Sequence, residues 1–492
     1  MQYPNFYFSQ FGTDLPPRDI FDFLVENWLY MEKTAGEMHY TSEFWMSIKS
    51  SLEQLRGLVD GFKSSACAPQ VSQVESIENW SVEDLLPNGD ISLLKVLFVQ
   101  AWGDLYTIET KFALTGILNR THSTKGQEFN SRIYYPHSEV PVDLRCSSFF
   151  KLLPDFSDII FGHTSWSSFS AMGPRTFKHM ELPVALNVTH FVSELRHVHF
   201  SASPGLLASL DDFYVVHSPS TKLVVIETTN DLYNPALFEL VTPRSCLCWA
   251  RAIAANAIAI SSPSWASAFS FHASGTYTNQ WQILDLNLFV PGFAPPPNTF
   301  VIAEEIPGKV GVQDATTFLV SEGYWASYNI PWIEDISKKS GNEAACNLWA
   351  AVGNFDSCWE SAPRANIFRE RQAGIATVSD MRSLMQFNDW QNDPLSEGRP
   401  GKSISSRRDL EPDVDDVYPS GGVDSKISTV TLVLQQGGPI IDVRMGPTYD
   451  QQPVFCWSTL RSNETFSHEG QPDCFEYPWV TLVPQAVISE IR

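Results

Sequence analysis

Basic residues are scarce in this chain: 33 Lys and Arg stand against 56 Asp and Glu over 492 residues, a formal net charge of -23 at pH 7. No dense Lys/Arg run offsets that balance, so the surface repels nucleic acid phosphates and anionic head groups, and no nucleic acid partner is expected. Long apolar runs are also missing. The longest, Cys246 to Ile260, contains Arg251 and stops at Ser261-Ser262-Pro263. It is too short to span a bilayer and reads as a buried helix. The eight cysteines form no CxxC pair, and Cys246-Leu-Cys248 has the wrong spacing for a zinc knuckle. No metal and no cofactor are expected. Cys346 with Cys358, or Cys456 with Cys474, are candidate disulfides, a choice that spacing leaves open. Internal repeats and low-complexity tracts are absent.

The first residues, Met1-Gln-Tyr-Pro-Asn-Phe, carry no basic segment followed by an apolar one, so no signal peptide is read. Sequons nevertheless stand at Asn79, Asn119, Asn187 and Asn463. The expectation is either an incomplete N-terminus or a cytosolic chain whose sequons are idle.

What the chain does have is material for a large core, with 43% hydrophobic and 13% aromatic residues. Residues 18 to 64 read as helix, with Phe44, Ile48, Leu52, Leu55 and Leu58 at helical spacing, and a second helical pattern runs from Ile91 to about Leu118. Thr121 to Arg145 is polar, holds two prolines and reads as an exposed loop. Strand-like runs follow at Asp212 to Val216 and Leu223 to Glu227, then a helical region from Cys246 to Phe271. Residues 391 to 426, rich in Ser, Gly, Pro and charge, read as a long surface excursion. Helices first, then strands and helices mixed, predict an α+β or layered architecture.

The most informative stretch is Cys146 to Trp166. Phe149 to Leu153 is apolar, Pro154-Asp155-Phe156-Ser157-Asp158 carries turn chemistry, and Ile159-Ile160-Phe161 is β-branched and aromatic. A turn centred near Asp155 and Phe156 sets a hairpin whose paired residue numbers sum to about 311, so Cys146 falls opposite roughly position 165. Paired strands lie ~4.7–5.5 Å apart, which returns His163, Ser165 and Trp166 to the neighbourhood of the thiol. A cysteine so placed is a candidate nucleophile; the plain alternative is a buried, inert thiol.

The same residues resemble the phospholipase B-like family, lysosomal or secreted members of the N-terminal nucleophile hydrolases. The resemblance runs from about residue 20 to the C-terminus. It is carried by Cys146-Ser147 with Lys151-Leu-Leu-Pro154, Gly162-His163-Thr-Ser-Trp166, Asp211-Asp-Phe-Tyr214, Glu227-Thr-Thr229, Asn234-Pro-Ala-Leu237 and Ser274-Gly-Thr-Tyr277 with Asn279-Gln-Trp281. It continues through Tyr324-Trp-Ala-Ser-Tyr-Asn-Ile-Pro331, Pro363-Arg364, Asn388-Asp389, Gly421-Gly-Val-Asp424 and Gly470-Gln-Pro-Asp473. It implies a four-layer αββα sandwich of the N-terminal nucleophile hydrolase type, preceded by a helical segment. The implied division is 1–145, ending in a maturation loop, and 146–492, bearing the nucleophile, both packed as one globular unit.

The resemblance also implies autocatalytic cleavage between Arg145 and Cys146. The freed α-amino group, with a pKa of ~7.7–8.0, then serves as base to its own thiol. Cys146 is the expected nucleophile. His163 is expected to bond the nucleophile region, Thr229 to bring a hydroxyl beside the thiol, Asn329 to donate to the oxyanion, Arg364 to orient a carboxylate or phosphate, and Trp166 to shape the acyl pocket. The implied substrate is a phospholipid or other acylated small molecule. The implied setting is the lysosome or the cell exterior, with glycans on the four sequons; oligomeric state is left open. Departures are Ala273 and Thr278, which replace two asparagines of the family's Asn-Ser-Gly-Thr-Tyr-Asn-Asn-Gln-Trp, and Arg145, where a small residue is common. Three readings are carried forward: removal of fatty acyl chains from glycerophospholipids, N-acyl amide hydrolysis, and a non-catalytic lipid-binding glycoprotein.

Overall fold

The computed structural model describes residues 17–64, 91–121, 145–187, 192–468 and 470–483. Residues 122–144 of the expected maturation loop lie outside them, as do Asn79 and the side chains of Asn119 and Asn187.

The amphipathic N-terminal pattern forms helices Arg18–Met38, Glu43–Ser64, Ile91–Gln100 and Trp102–Thr121. Strands β1 (Arg145–Leu152) and β2 (Ile159–Ser168) follow, then β3 (Thr176–Asn187), β4 (Val192–Ala202), β5 (Phe213–His217) and β6 (Lys222–Thr229). After helices Cys248–Ile258 and Ser262–Ser270 come β7 (Asn279–Asp285), β8 (Phe300–Ile306), β9 (Lys309–Asp314) and β10 (Tyr324–Ser327). The last strands are β11 (Ser420–Gly422), β12 (Asp424–Thr429), β13 (Ile441–Met445) and β14 (Val480–Leu482). They make two seven-stranded antiparallel sheets. In one, β3 to β9 pair in sequence order; the other runs β10-β1-β2-β12-β13-β14, with β11 on β2.

Alternation along each strand gives both sheets two apolar faces, and three of the four hydrophobic clusters among the described residues are built on them. Val198, Tyr214, Val216, Leu223, Val225, Trp281 and Ile283 pack with Phe21, Trp28, Trp45 and Leu97 of the N-terminal helices and with Trp249 and Trp265 of helices Cys248–Ile258 and Ser262–Ser270. Phe150, Phe161, Phe213, Val224, Ile226, Leu284 and Trp325 meet between the sheets. Phe149, Ile160, Ala326 and Ile427 pack against Ile367 and Phe368 of helix Pro363–Arg371 and Met381 and Leu384 of helix Val378–Met385. The fold is α+β, layered helix, sheet, sheet, helix. Among the described residues no helix is long and apolar enough to cross a membrane.

The β1–β2 hairpin has the register expected from its turn: Cys146 pairs with Ser165, and Ser148 with His163. Asp155 Oδ1 accepts from Ser157 N (3.1 Å) and Ser157 Oγ (2.7 Å), and Phe156 takes a φ of 57° to close the turn. Gly162 lets helix Val378–Met385 lie close on β2, because a Cβ there would sit 2.8 Å from Met385 Cγ.

One expectation is corrected. Residues 391–426 are not a surface excursion: Ser403, Ile404, Ser405, Ser406 and Arg407 are buried, and β11 and the first half of β12 lie in this segment. Its small residues serve close packing, since a Cβ on Gly421 would fall 2.0 Å from Ser406 O. Both candidate disulfides are present, Cys346–Cys358 and Cys456–Cys474.

Candidate active site

Cys146, Ser148 and Phe150 share the face of their sheet that looks toward β3–β9, together with Ser165, His163 and Phe161. From these residues two bonds cross the gap between the sheets. Ser148 Oγ donates to Gln282 Oε1 (2.5 Å), and His163 Nε2 donates to Glu227 O (2.8 Å). A carbonyl only accepts, so this contact fixes the proton on Nε2 and leaves Nδ1 as the bare nitrogen. His163 Nδ1 is buried with no partner among the described residues. Burial, aided by the Lys426 charge, holds the imidazole neutral by pushing its pKa well below the usual value.

The edge of β1 around Cys146 is served by side chains. β10 pairs with β1 only from Ser148 to Lys151, and beyond Ser327 the chain turns through Asn329, at φ 72°. Asn329 Oδ1 accepts from Cys146 N (3.3 Å) and from Arg364 Nη2 (2.7 Å), while Asn329 Nδ2 donates to Thr229 O (2.5 Å). Arg364 follows Pro363 in the first turn of its helix. Its Nη1 donates to Cys146 O (2.6 Å) and Ser147 Oγ (3.2 Å), and its Nη2 to Tyr328 O (2.6 Å). The backbone N and O of Cys146 are therefore both held by side chains.

Three groups sit differently from the chemistry expected of them. Asn329 turns its carbonyl oxygen, not its N–H, toward Cys146, because its N–H is engaged by Thr229 O. Thr229 reaches the site through that carbonyl; its Oγ1 is buried without a partner among the described residues, on the face opposite Thr228, whose hydroxyl meets Ser327 Oγ. Trp166 lies on the other face of β2 from Ser165. Its Nε1 donates to Ile404 O (3.1 Å) and its ring carries the Arg364 guanidinium at 4.4 Å, so it steadies the arginine.

Cys146 is 4% exposed. Burial and the Glu227 carboxyl push its pKa well above the usual range, opposed by the Trp166 backbone N–H and by Lys426. Ser165, opposite Cys146, accepts from Lys426 Nζ (2.7 Å), which also donates to Asp424 Oδ1 (2.7 Å) and Asp211 Oδ2 (3.1 Å). Burial raises Asp211, but Lys426 and Arg175 outweigh it and keep it ionised. Asp212 and Glu227 form a second, protonated-leaning pair: burial and their mutual repulsion push Asp212 well up, and burial above all holds Glu227 at about 7. Tyr277 Oη lies 2.8 Å from Glu227 Oε1 and 2.9 Å from Leu210 O, and its ring rests on Gly103, where a Cβ would come within 2.7 Å. Thr278 Oγ1, at one departure from the family pattern, donates to Asn230 O (2.9 Å). Lys426 was not anticipated, although it stands two residues past Asp424 of a quoted motif, hence on the same strand face.

A cavity of about 1060 Å³ opens between the sheets. Arg175, Asp211, Asp424 and Lys426 line one part of it; Leu286, Val443, Val480 and Leu482 give it apolar wall.

The family model described as Phospholipase B matches residues 1–482. "Phospholipase B-like protein G" of Dictyostelium discoideum is 34% identical over 495 residues, covering 98% of this chain and 77% of that protein. "Phospholipase B-like 1" of Rattus norvegicus is 32% identical over 464 residues (94% and 74%), and "Putative phospholipase B-like 2" of Bos taurus 34% over 475 (92% and 72%). The chain belongs to the phospholipase B family.

Proposed function

We propose that this chain is an acyl hydrolase of the N-terminal nucleophile type, acting on glycerophospholipid acyl esters after cleavage between Arg145 and Cys146. The observation that carries the reading is the grip on the Cys146 backbone, N by Asn329 and O by Arg364. Beyond Ser148 β1 has no β10 partner, so these side chains take the place of the ladder and leave that edge open for a chain terminus.

Cleavage begins with attack of the Cys146 thiol on the Arg145 carbonyl carbon, and the acyl group passes from nitrogen to sulfur. Water then hydrolyses the thioester, giving the Arg145 carboxyl and a free Cys146 amine and thiol. In catalysis that amine takes the thiol proton, as the buried thiol ionises too poorly alone. Sulfur attacks the ester carbonyl, the alcohol leaves with the proton, and a second water releases the fatty acid. Asn329 Oδ1 orients the amine, and His163 Nδ1 is a bare acceptor on the adjacent strand. Support for a lysosomal or secreted setting comes from the two disulfides and the exposed Asn463. Residues 1–145 and 146–492 are inferred to stay together after cleavage, because the N-terminal helices share a core with β4–β8.

Intact-mass analysis after acid incubation tests maturation: a fragment beginning at Cys146 is expected, and its absence counts against the reading. Cys146→Ala should abolish both that fragment and acyl release from a lysophospholipid. Turnover of an N-acyl amide in preference to the lysophospholipid would move the assignment to the amide reading. The sealed thiol and the Arg145 to Asp231 ion pair (3.1 Å) favour the non-catalytic reading, which lipid co-purifying with an uncleaved, inactive chain would establish.

A further inference from the structure

Strands β3 to β5 carry a cluster of imidazoles apart from Cys146. His179 and Glu181 stand on β3, His197 and His199 on β4, and His217 on β5; the register pairs His179 with His199, Glu181 with His197, and His197 with His217. Alternation puts all five on one face. Val215 of β5 shares it, in the core between the sheets, and all five line the wall of the large cavity. The neighbouring Lys178 is on the other face, its Nζ on Leu206 O (2.5 Å), so its charge is turned away.

The rings form two layers. In the outer layer His179 Nε2 and His197 Nδ1 are 3.1 Å apart, and His197 Nδ1 is 3.7 Å from Glu181 Oε1. In the inner layer His199 Nε2 and His217 Nε2 are 3.0 Å apart. His179 stacks on His199 at 4.3 Å and 4°, and His197 on His217 at 4.8 Å and 11°. Ligand atoms about 2.0–2.1 Å from a tetrahedral ion stand roughly 3.3 Å from one another; the two imidazole nitrogens are close to that spacing, and all three ligand atoms lie within 4.8 Å of one another. We propose that His179, Glu181 and His197 form a binding site for a divalent transition-metal ion of the zinc class, with its fourth position open to the cavity.

Two imidazoles and one carboxylate are a donor set that suits zinc, and three protein ligands leave a position for water or a ligand. Glu181 offsets part of the ion's charge. His199 and His217 lie behind the ligands, and their stacking fixes the ring planes that aim the nitrogens, as outer partners do at metal sites. His179 and Glu181 are exposed and His197 half-buried, which leaves an entry path. Zinc here would brace β3 against β4 at the mouth of the cavity, away from the Cys146 thiol.

Tag-free, chelator-stripped protein titrated with zinc chloride by calorimetry should bind one ion per chain. Cobalt(II) in its place should give the intense visible bands of a tetrahedral site. His197→Ala should weaken zinc binding by about 100-fold or more and Glu181→Gln by about tenfold, while His199→Phe, which keeps the stack, should retain the stoichiometry. Equal zinc binding by the wild type and a folded His179→Ala/His197→Ala double variant overturns the proposal. So does a wild-type cobalt spectrum identical to that of the aqueous ion, whatever the variants do.

Discussion

The inter-sheet face of the β1–β2 hairpin is made of two unlike halves. Phe150, Leu152, Ile159 and Phe161 are hydrocarbon packed on hydrocarbon. Cys146, Ser148, His163 and Ser165, a few residues along the same strands, are as deeply buried yet polar, and Ser148, His163 and Ser165 each bond to another strand. The first half stabilises the sheet pair; the second carries what a purely structural interface avoids, a buried thiol beside an imidazole whose Nδ1 has no partner among the described residues. The contrast separates residues that hold the fold from residues that the fold holds.

Substitutions can break that comparison. Phe161→Ala should cost about 3–5 kcal/mol in denaturant unfolding, by loss of burial and creation of a cavity. Ser148→Ala, which strands Gln282 Oε1, should cost about 1–3 kcal/mol; equal losses would erase the distinction. Arg364→Lys keeps a charge but loses the fork that spans Cys146 O and Asn329, and the Cys146-led fragment should appear about 100-fold more slowly. A rate within about twofold of the wild type would show the cradle to be idle.

The smallest effect expected is one of pH. Glu227 is raised from 4.5 to about 7, so the folded chain holds this proton more tightly than the unfolded one. Its stabilising contribution is complete below the unfolded value of 4.5 and is lost as pH climbs through 7. Glu227→Gln cannot ionise, so its melting temperature should fall less than the wild type's between pH 5 and 7.5. Identical slopes would remove the carboxyl pair from the electrostatics of the site.

The hairpin was legible because turn chemistry fixes a register by arithmetic: Asp155 to Asp158 set Cys146 against Ser165 before any tertiary contact is known. The N-terminal helices were legible from their 3.6-residue periodicity. Residues 391–426 were not, because Ser and Gly have two uses that composition cannot separate, solvent exposure and close backbone approach. Gly421 and Ser406 take the second. For Asn329 the sequence does not show which end of the amide faces Cys146; Arg364 on one side and Thr229 O on the other decide it. The paired His-x-Glu and His-x-His spacings at 179–181 and 197–199 gain meaning once two strands are placed side by side.

Gly103 belongs to a helix more than forty residues upstream of the thiol, yet the ring it supports presents its hydroxyl to Glu227. Any methyl group at that position would lever Tyr277 out of its seat, and the acid–base poise of the pocket would change without one of its own members being touched. Residues that govern this chemistry therefore include some that a survey confined to the cleft would never sample.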